Sequence, residues 1–183
     1  MDRIAQGDAS AFRTLSQDHL QAIVTFVYRL LHNHAEAEDV AQETFLRAWT
    51  NAAKYQPQAR VSTWLHAIAR NLAIDHLRKR KTRGESLEID DERDAAPLSG
   101  RPSQLLVRKQ QALTVQEALL NLPERQRSAI LLSHEQGHSN IEIAEILKIS
   151  VEAVESLLSR GRRQLRVLLS DESDQVKDTR MSE

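Results

Sequence analysis

Two blocks of helical hydrophobic periodicity, residues 7–83 and 105–169, flank a stretch that has none, and this pattern most constrains the fold. In the first block a helix beginning near Asp8 turns Phe12, Leu15, Leu20, Ile23, Val24, Val27 and Leu31 inward. In "AEAEDVAQETFLRAW", Val40, Ala41, Thr44, Phe45, Ala48 and Trp49 fall on one face. Asp39, Glu43 and Arg47 then form a polar stripe, flanked by Glu38 and Gln42. Pro57 breaks the chain, Ser62 or Thr63 is placed to cap the next helix, and "WLHAIARNLAIDHLRKRK" follows. Gly84, Pro97, Gly100 and Pro102 punctuate the aperiodic stretch, which reads as a linker.

With five glycines, four prolines and a thin scatter of β-branched residues, the expected class is all-α. Two small helical domains are expected, at 1–83 and 105–170. A flexible acidic linker, 84–104, joins them, and 171–183 reads as a disordered acidic tail.

Composition removes several chemistries. The chain has no cysteine, which excludes disulfides, cysteine–zinc sites, iron–sulfur ligation and thiol catalysis. Met1-Asp2-Arg3 leads into polar residues, so no signal peptide is expected, and no run is apolar enough to span a bilayer. A reducing, intracellular setting is consistent with this.

The formal net charge of −1 hides a segregation. From Arg60 to Arg83 there are seven Lys/Arg against the single Asp75, whereas residues 84–96 carry six acids and one arginine. Residues 156–166 carry four arginines and no acid. Two basic blocks on separate helices point to nucleic acid over a merely solvated face.

One motif points elsewhere. His134-Glu135-Gln136-Gly137-His138 matches H-E-x-x-H, two zinc-binding histidines one turn apart with a glutamate base between them. That chemistry needs a continuous helix. Pro123 suits the first turn of a helix running through "ERQRSAILLSHEQ", Gly137 suits its end, and Ser139-Asn-Ile-Glu142 is a capping box that starts another. The boundary separates the imidazoles, and no third ligand is evident. We therefore expect solvent-facing histidines at a helix end, and no metal.

Beyond that boundary, "NIEIAEIL" is joined by Lys148-Ile149-Ser150 to a helix beginning "VEAVESLLSRGRRQLRVLL". Ala144 allows close approach, Ile149 plugs the turn, and Ser150 caps the second helix. Val151, Val154, Leu158 and Leu165 line that helix's inner face. This is the layout of a helix-turn-helix whose second helix enters the major groove. Outward lie Glu152, Glu155, Ser156, Ser159, Arg160, Arg162 and Arg163, where arginine reads guanine or holds phosphate and Glu155 accepts from cytosine.

The blocks "AEAEDVAQETFLRAW", "STWLHAIARNLAIDHLRKR", "LPERQRSAILL" and "SNIEIAEILKISVEAVESLLSRGRRQL" together resemble the small two-domain bacterial sigma factors of the extracytoplasmic-function group. The resemblance implies a non-enzymatic initiation subunit, without cofactor or small-molecule substrate, that binds core RNA polymerase and promoter DNA. It also implies a bacterial cytoplasmic location and an anti-sigma partner able to hold the chain at the inner membrane. Asp39, Gln42, Glu43, Phe45 and Arg47 match polymerase-docking positions. Arg60, Val61, Ser62 and Thr63 match the loop that captures a flipped base of the −10 element, and Asn71 matches its pocket. Trp64 is a candidate for stacking on that base or for the core, while Arg70, Arg78, Lys79, Arg80 and Lys81 are placed to hold phosphates. Glu155, Ser156, Ser159, Arg160, Arg162 and Arg163 face the −35 element. Lys148 stands where relatives often carry glycine, Glu155 where many carry Lys or Arg, and Val61 where an aromatic is common. Thr63 replaces a second tryptophan of housekeeping sigma factors, which weakens the melting wedge. The competing reading is a helix-turn-helix regulator with a separate sensor domain, which has no use for a docking stripe; a zinc hydrolase comes a distant third.

Overall fold

The computed structural model describes residues 1–84 and 102–180, with side chains described for 1–84 and 111–170. Among these residues the protein is all-α: α1 (Asp2–Ala5), α2 (Ala9–Leu31), α3 (His34–Thr50), α4 (Val61–Arg83), α5 (Pro102–Leu120), α6 (Glu124–His134), α7 (Asn140–Leu147) and α8 (Val151–Arg180). A single 3-10 turn, Ala52–Lys54, leads from α3 towards α4.

Local chemistry sets most boundaries. Asp8 caps α2 by accepting from the Ser10 and Ala11 amides at 2.9 and 3.0 Å. Hydrogen bonds from the Ser10 hydroxyl, the Ala11 amide and Arg3 hold its carboxyl far below the usual carboxylate range. His32 ends α2 in the left-handed region at φ 55, and Asn33 caps α3 through the Glu36 amide at 3.0 Å. The reversal folds α3 back along α2. At α4 the cap differs from expectation: Arg60 is the N-cap without a side-chain bond, and Ser62 and Thr63 lie inside the first turn.

Helix α4 carries three separate stripes. Leu65, Ala69 and Ala73 are fully buried with Ile23, Phe26 and Leu30 of α2 and Val40, Ala41 and Phe45 of α3 in one core. Burying each larger side chain contributes about 1.5–3 kcal/mol. Thr63, His66 and Arg70 face the C-terminal half, while Trp64, Ile68 and Asn71 look out beside the 3-10 turn. Leu20, expected in the core, is 45% exposed, because it lies on the rim of a groove between α2 and α3.

In the C-terminal half, α6 stops at His134 and Gly137 turns the chain at φ +67. Ser139 and Glu142 close the capping box of α7, Ser139 N donating to Glu142 Oε2 at 2.8 Å. Lys148 occupies the left-handed position at φ 53, and Ser150 Oγ accepts from Ala153 N at 3.3 Å to start α8. Ile143, Ile146, Val154 and Leu158 close this helix-turn-helix. Gly161 lets α8 lie against α6, since a Cβ there would stand 2.6 Å from Ile130 Cδ1.

Three features bear on the expected domain organisation. The two halves share one continuous buried cluster, running from Ile23 to Leu158, and α4 packs directly on α7. Helix α8 continues to Arg180, through most of the expected disordered tail. Residues 171–180 contain no glycine or proline, and extending an established helix costs far less than starting one. The linker assignment lies almost wholly outside the described residues.

Candidate nucleic-acid interface

Three surfaces carry the candidate residues. The first is on α3. Asp39, Gln42, Glu43 and Arg47 form its outward stripe, with Arg47 Nε donating to Glu43 Oε1 at 2.7 Å, one turn away. This exposed pair adds little stability and keeps both charges at the surface. Phe45 departs from the set: it is 6% exposed, so its ring serves the core and only floors the neighbouring groove. That groove, about 530 Å³, is lined by Phe12, Leu20, Phe45, Leu46 and Trp49. Leu46, 57% exposed, breaks the polar character of the stripe. It was missed because an apolar residue at helical spacing is ordinarily assigned inward.

The second surface is on α4, where the structure divides the residues expected to act together. Trp64 and Asn71 line a pocket of about 270 Å³ with Asn51, Lys54, Arg47 and Ile68. Trp64 is half-buried and meets Tyr55 edge-on at 5.5 Å, leaving it part support and part pocket wall. Lys54 Nζ donates to Asn51 Oδ1 at 2.9 Å, presenting a cation at the rim. Neither Asn51 nor Lys54 carries a sequence signal, because Lys54 ends the 3-10 turn and Asn51 stands at its N-cap, and only the tertiary fold brings that turn to α4.

Thr63 and Arg70 are on a different stripe. Thr63 is 2% exposed and donates to Glu142 Oε1 at 3.1 Å. Arg70 is paired with Glu124. Arg60 lies 3.5 Å from the same Glu142 carboxylate but is 75% exposed at the side chain, and Val61 and Ser62 are half-buried beside it. Burial alone would raise the Glu142 carboxyl, but hydrogen bonds from Ser139 and Thr63 bring it down to about 2. Along the rest of α4, Arg78, Lys79 and Lys81 are exposed. Arg80 is not: it is 8% exposed and donates to Glu36 Oε2 at 3.0 Å, so it ties α4 to α3 and is not free to hold a phosphate.

The third surface is on α8. Glu152, Glu155, Ser159, Arg160, Arg162, Arg163 and Arg166 are exposed, Ser156 is half-buried, and Val154 and Leu158 are turned inward. Arg162 Nε donates to the Leu158 carbonyl at 3.2 Å, while Arg160, Arg163 and Arg166 are exposed along the same helix.

The H-E-x-x-H match resolves by geometry. The break at Gly137 takes His138 out of α6, and among the described residues no group of three metal-ligating side chains converges. The expectation of two solvent-facing histidines holds for His134 only. His138 is 7% exposed and packs on His66 of α4, because the left-handed turn at Gly137 directs it into the seam between the halves.

Residues 15–83 match the Sigma-70 region 2 family model, and residues 112–165 match Sigma-70, region 4. The chain is 35% identical over 180 residues to the ECF RNA polymerase sigma factor SigW of Bacillus subtilis, covering 92% of this chain and 94% of that one. It is 35% identical to the ECF RNA polymerase sigma factor SigE of Mycolicibacterium smegmatis, over 94% of this chain and 68% of that one. Among solved structures, the sigma factor RpoE in complex with the anti-sigma factor NepR from Bartonella quintana superposes with a TM-score of 0.72 at 26% identity, covering 88% of this chain and 98% of that one. CnrH in complex with the cytosolic domain of CnrY gives 0.69 at 26%, covering 93% and 94%. Two family matches in the right order, over halves that carry an exposed charged stripe and an arginine-faced helix-turn-helix, lead to one conclusion: the chain belongs to the extracytoplasmic-function (ECF) family of RNA polymerase sigma factors.

Proposed function

We propose that the chain directs promoter-specific initiation through three physically separate surfaces, with core polymerase on α3, the −10 element on α4 and the −35 element on α8. The observation that carries this is the pairing of Trp64 and Asn71 over one pocket that Lys54 also lines, with Arg78 and Lys79 exposed further along α4. A single unpaired base can lie against the indole edge with its polar edge towards Asn71 and Asn51, while the cations hold the flanking phosphates. Arg60, Val61 and Ser62 form the adjoining entry. The −10 site therefore gains Asn51 and Lys54 and loses Arg80.

On α3, the apolar groove edged by Leu20 and Leu46 supplies the buried centre of a docking site, and Asp39, Gln42, Glu43 and Arg47 supply its charged rim. On α8, Arg160 reads a base and Arg163 holds phosphate, with Glu155, Ser156 and Ser159 alongside. The chain catalyses nothing itself: it lends specificity to the polymerase. No described helix is long and apolar enough to cross a membrane, which accords with action in the cytoplasm. RpoE, one of the solved relatives, is in complex with the anti-sigma factor NepR, and a protein of that kind, free or anchored at the inner membrane, is the expected regulator.

The test is runoff transcription with purified core polymerase on a promoter library. Specific transcripts sharing −10 and −35 sequences are expected. Charge reversal of Asp39 and Glu43 together should abolish core binding in titration while far-UV helicity stays unchanged, since neither side chain faces the core. Unchanged affinity for core polymerase would remove the α3 assignment.

A further inference from the structure

The C-terminal half covers the α4 stripe of Thr63, His66 and Arg70, and the sequence places Thr63 and Arg70 among the residues expected beside promoter DNA. Glu142 takes the hydroxyl of Thr63 and lies against Arg60, and Glu124 takes Arg70, so two carboxylates occupy donors that a nucleic acid would otherwise engage. A further pair closes the seam at its other end, with Arg29 of α2 lying 3.5 Å from Glu135.

At the middle of this seam two imidazoles meet. His66 and His138 are 2% and 7% exposed, their rings T-shaped at 4.7 Å, with His138 Nε2 at 3.3 Å from His66 Nδ1. His66 Nδ1 also lies 2.8 Å from the Ser62 carbonyl, which only accepts, so that nitrogen carries the proton. His138 Nε2 must then face it with a lone pair, which places the His138 proton on Nδ1, 3.9 Å from Glu142 Oε2. His66 Nε2 has no partner in hydrogen-bond geometry. The packing therefore accommodates two neutral rings. A second proton would have to sit on a buried ring that only the Gln136 side chain helps, or in the contact between the rings.

We propose that this seam is a proton-sensitive latch: with both imidazoles neutral it holds Glu124 and Glu142 over the promoter-facing residues of α4, and protonation of the pair releases the C-terminal half and bares them. The latch rests on the promoter reading of α4 for its consequence, but not for its mechanism.

The surrounding charges fix the sign. For His66, burial opposes the charged ring most, joined by His138 and by His19 of α2, while the Ser62 carbonyl and Gln136 favour it; the result lies at about 4. For His138, burial and Arg60 oppose charge and Glu142 favours it, with a net lowering from the ordinary 6.5. The open state thus binds more protons below that ordinary value, so closure is complete above it and weakens as pH falls from about 6.5 towards 4. Glu135 works the other way, its carboxyl raised by burial against the pull of Arg29, and two histidines oppose that one group. Between about pH 7.5 and about pH 5.5, His66 alone changes the opening constant about tenfold.

The absence of native cysteine allows a clean dye pair on the full chain, at the exposed positions Asp18→Cys in α2 and Glu145→Cys in α7. Energy transfer should be high near neutral pH and fall on acidification, with far-UV helicity unchanged. The His66→Gln/His138→Gln variant should remove that pH dependence, and so in part should His138→Gln alone if the double variant folds poorly. Glu124→Gln should open the seam at neutral pH and raise the free protein's affinity for a single-stranded −10 oligonucleotide severalfold. Transfer that does not change with pH, or that falls equally in the glutamine variants, overturns the latch. Opening without a gain in oligonucleotide binding, in a protein that supports runoff transcription, overturns the masking. Failure of the promoter reading is distinct: transcription would be absent at every pH while the transfer change persisted.

Discussion

Helices α4 and α8 look alike as sequences, each a run of arginines on an amphipathic helix, yet the fold treats their cations in opposite ways. On α8, Arg160, Arg163 and Arg166 project into solvent. On α4, Arg70 and Arg80 are taken by Glu124 and Glu36, while Arg78, Lys79, Lys81 and Arg83 are exposed along the same run. The difference teaches that a basic block records positive charge, not its availability. A cation on a helix that crosses two others meets their carboxylates, and burial keeps the pair together. Helix α8 has one face packed, and among the described residues no carboxylate forms an ion pair with Arg160, Arg163 or Arg166 on the other.

The strongest way to break this comparison is at Arg80. Replacing it with Ala leaves Glu36, 22% exposed at the side chain, without its buried partner, and should lower stability by about 3 kcal/mol. Arg78→Ala, two positions earlier and 77% exposed at the side chain, should change stability by less than about 0.5 kcal/mol. Thermal melts of the two variants decide it: equal loss would mean that the helix treats both cations alike.

On α8 the contrast lies within the helix. Arg160→Ala should cost about 1–3 kcal/mol on the cognate −35 element and relax preference at one base position. Arg163→Ala should weaken binding almost equally on all sequences and flatten its salt dependence, because a phosphate contact carries no base identity. A base-substitution panel at two salt concentrations separates them. Uniform loss in both would move direct readout to Glu155, Ser156 or Ser159.

A third change attacks the packed side of α8. Gly161→Val would drive a branched side chain into Ile130, which is 5% exposed and has little room to yield. A loss of about 2 kcal/mol is expected in denaturant unfolding. The smallest effect is expected in the turn between α7 and α8. Lys148 holds a left-handed conformation that glycine adopts without steric cost, so Lys148→Gly should add at most about 1 kcal/mol to stability. A destabilised Lys148→Gly protein would mean that the lysine makes a contribution beyond its backbone geometry.

The sequence by itself determined the all-α class, the order of the helices, the capping box at Ser139–Glu142 and the inward faces of α3 and α8. These follow from interactions spanning three or four residues, which periodicity and cap chemistry record directly. It also determined that Gly137 divides the H-E-x-x-H match, because a turn of that kind is written locally. Tertiary structure alone decided which face of α4 meets the C-terminal half, that Arg80 is buried on Glu36, and that His138 packs on His66 across 72 positions. It likewise brought Asn51 and Lys54 to Trp64 and exposed Leu20 and Leu46 along one groove. The physical reason is the same in each case. Whether a charged or apolar side chain is free depends on what stands opposite it in space, and that neighbour is set by how whole helices cross, not by the residues on either side in the chain.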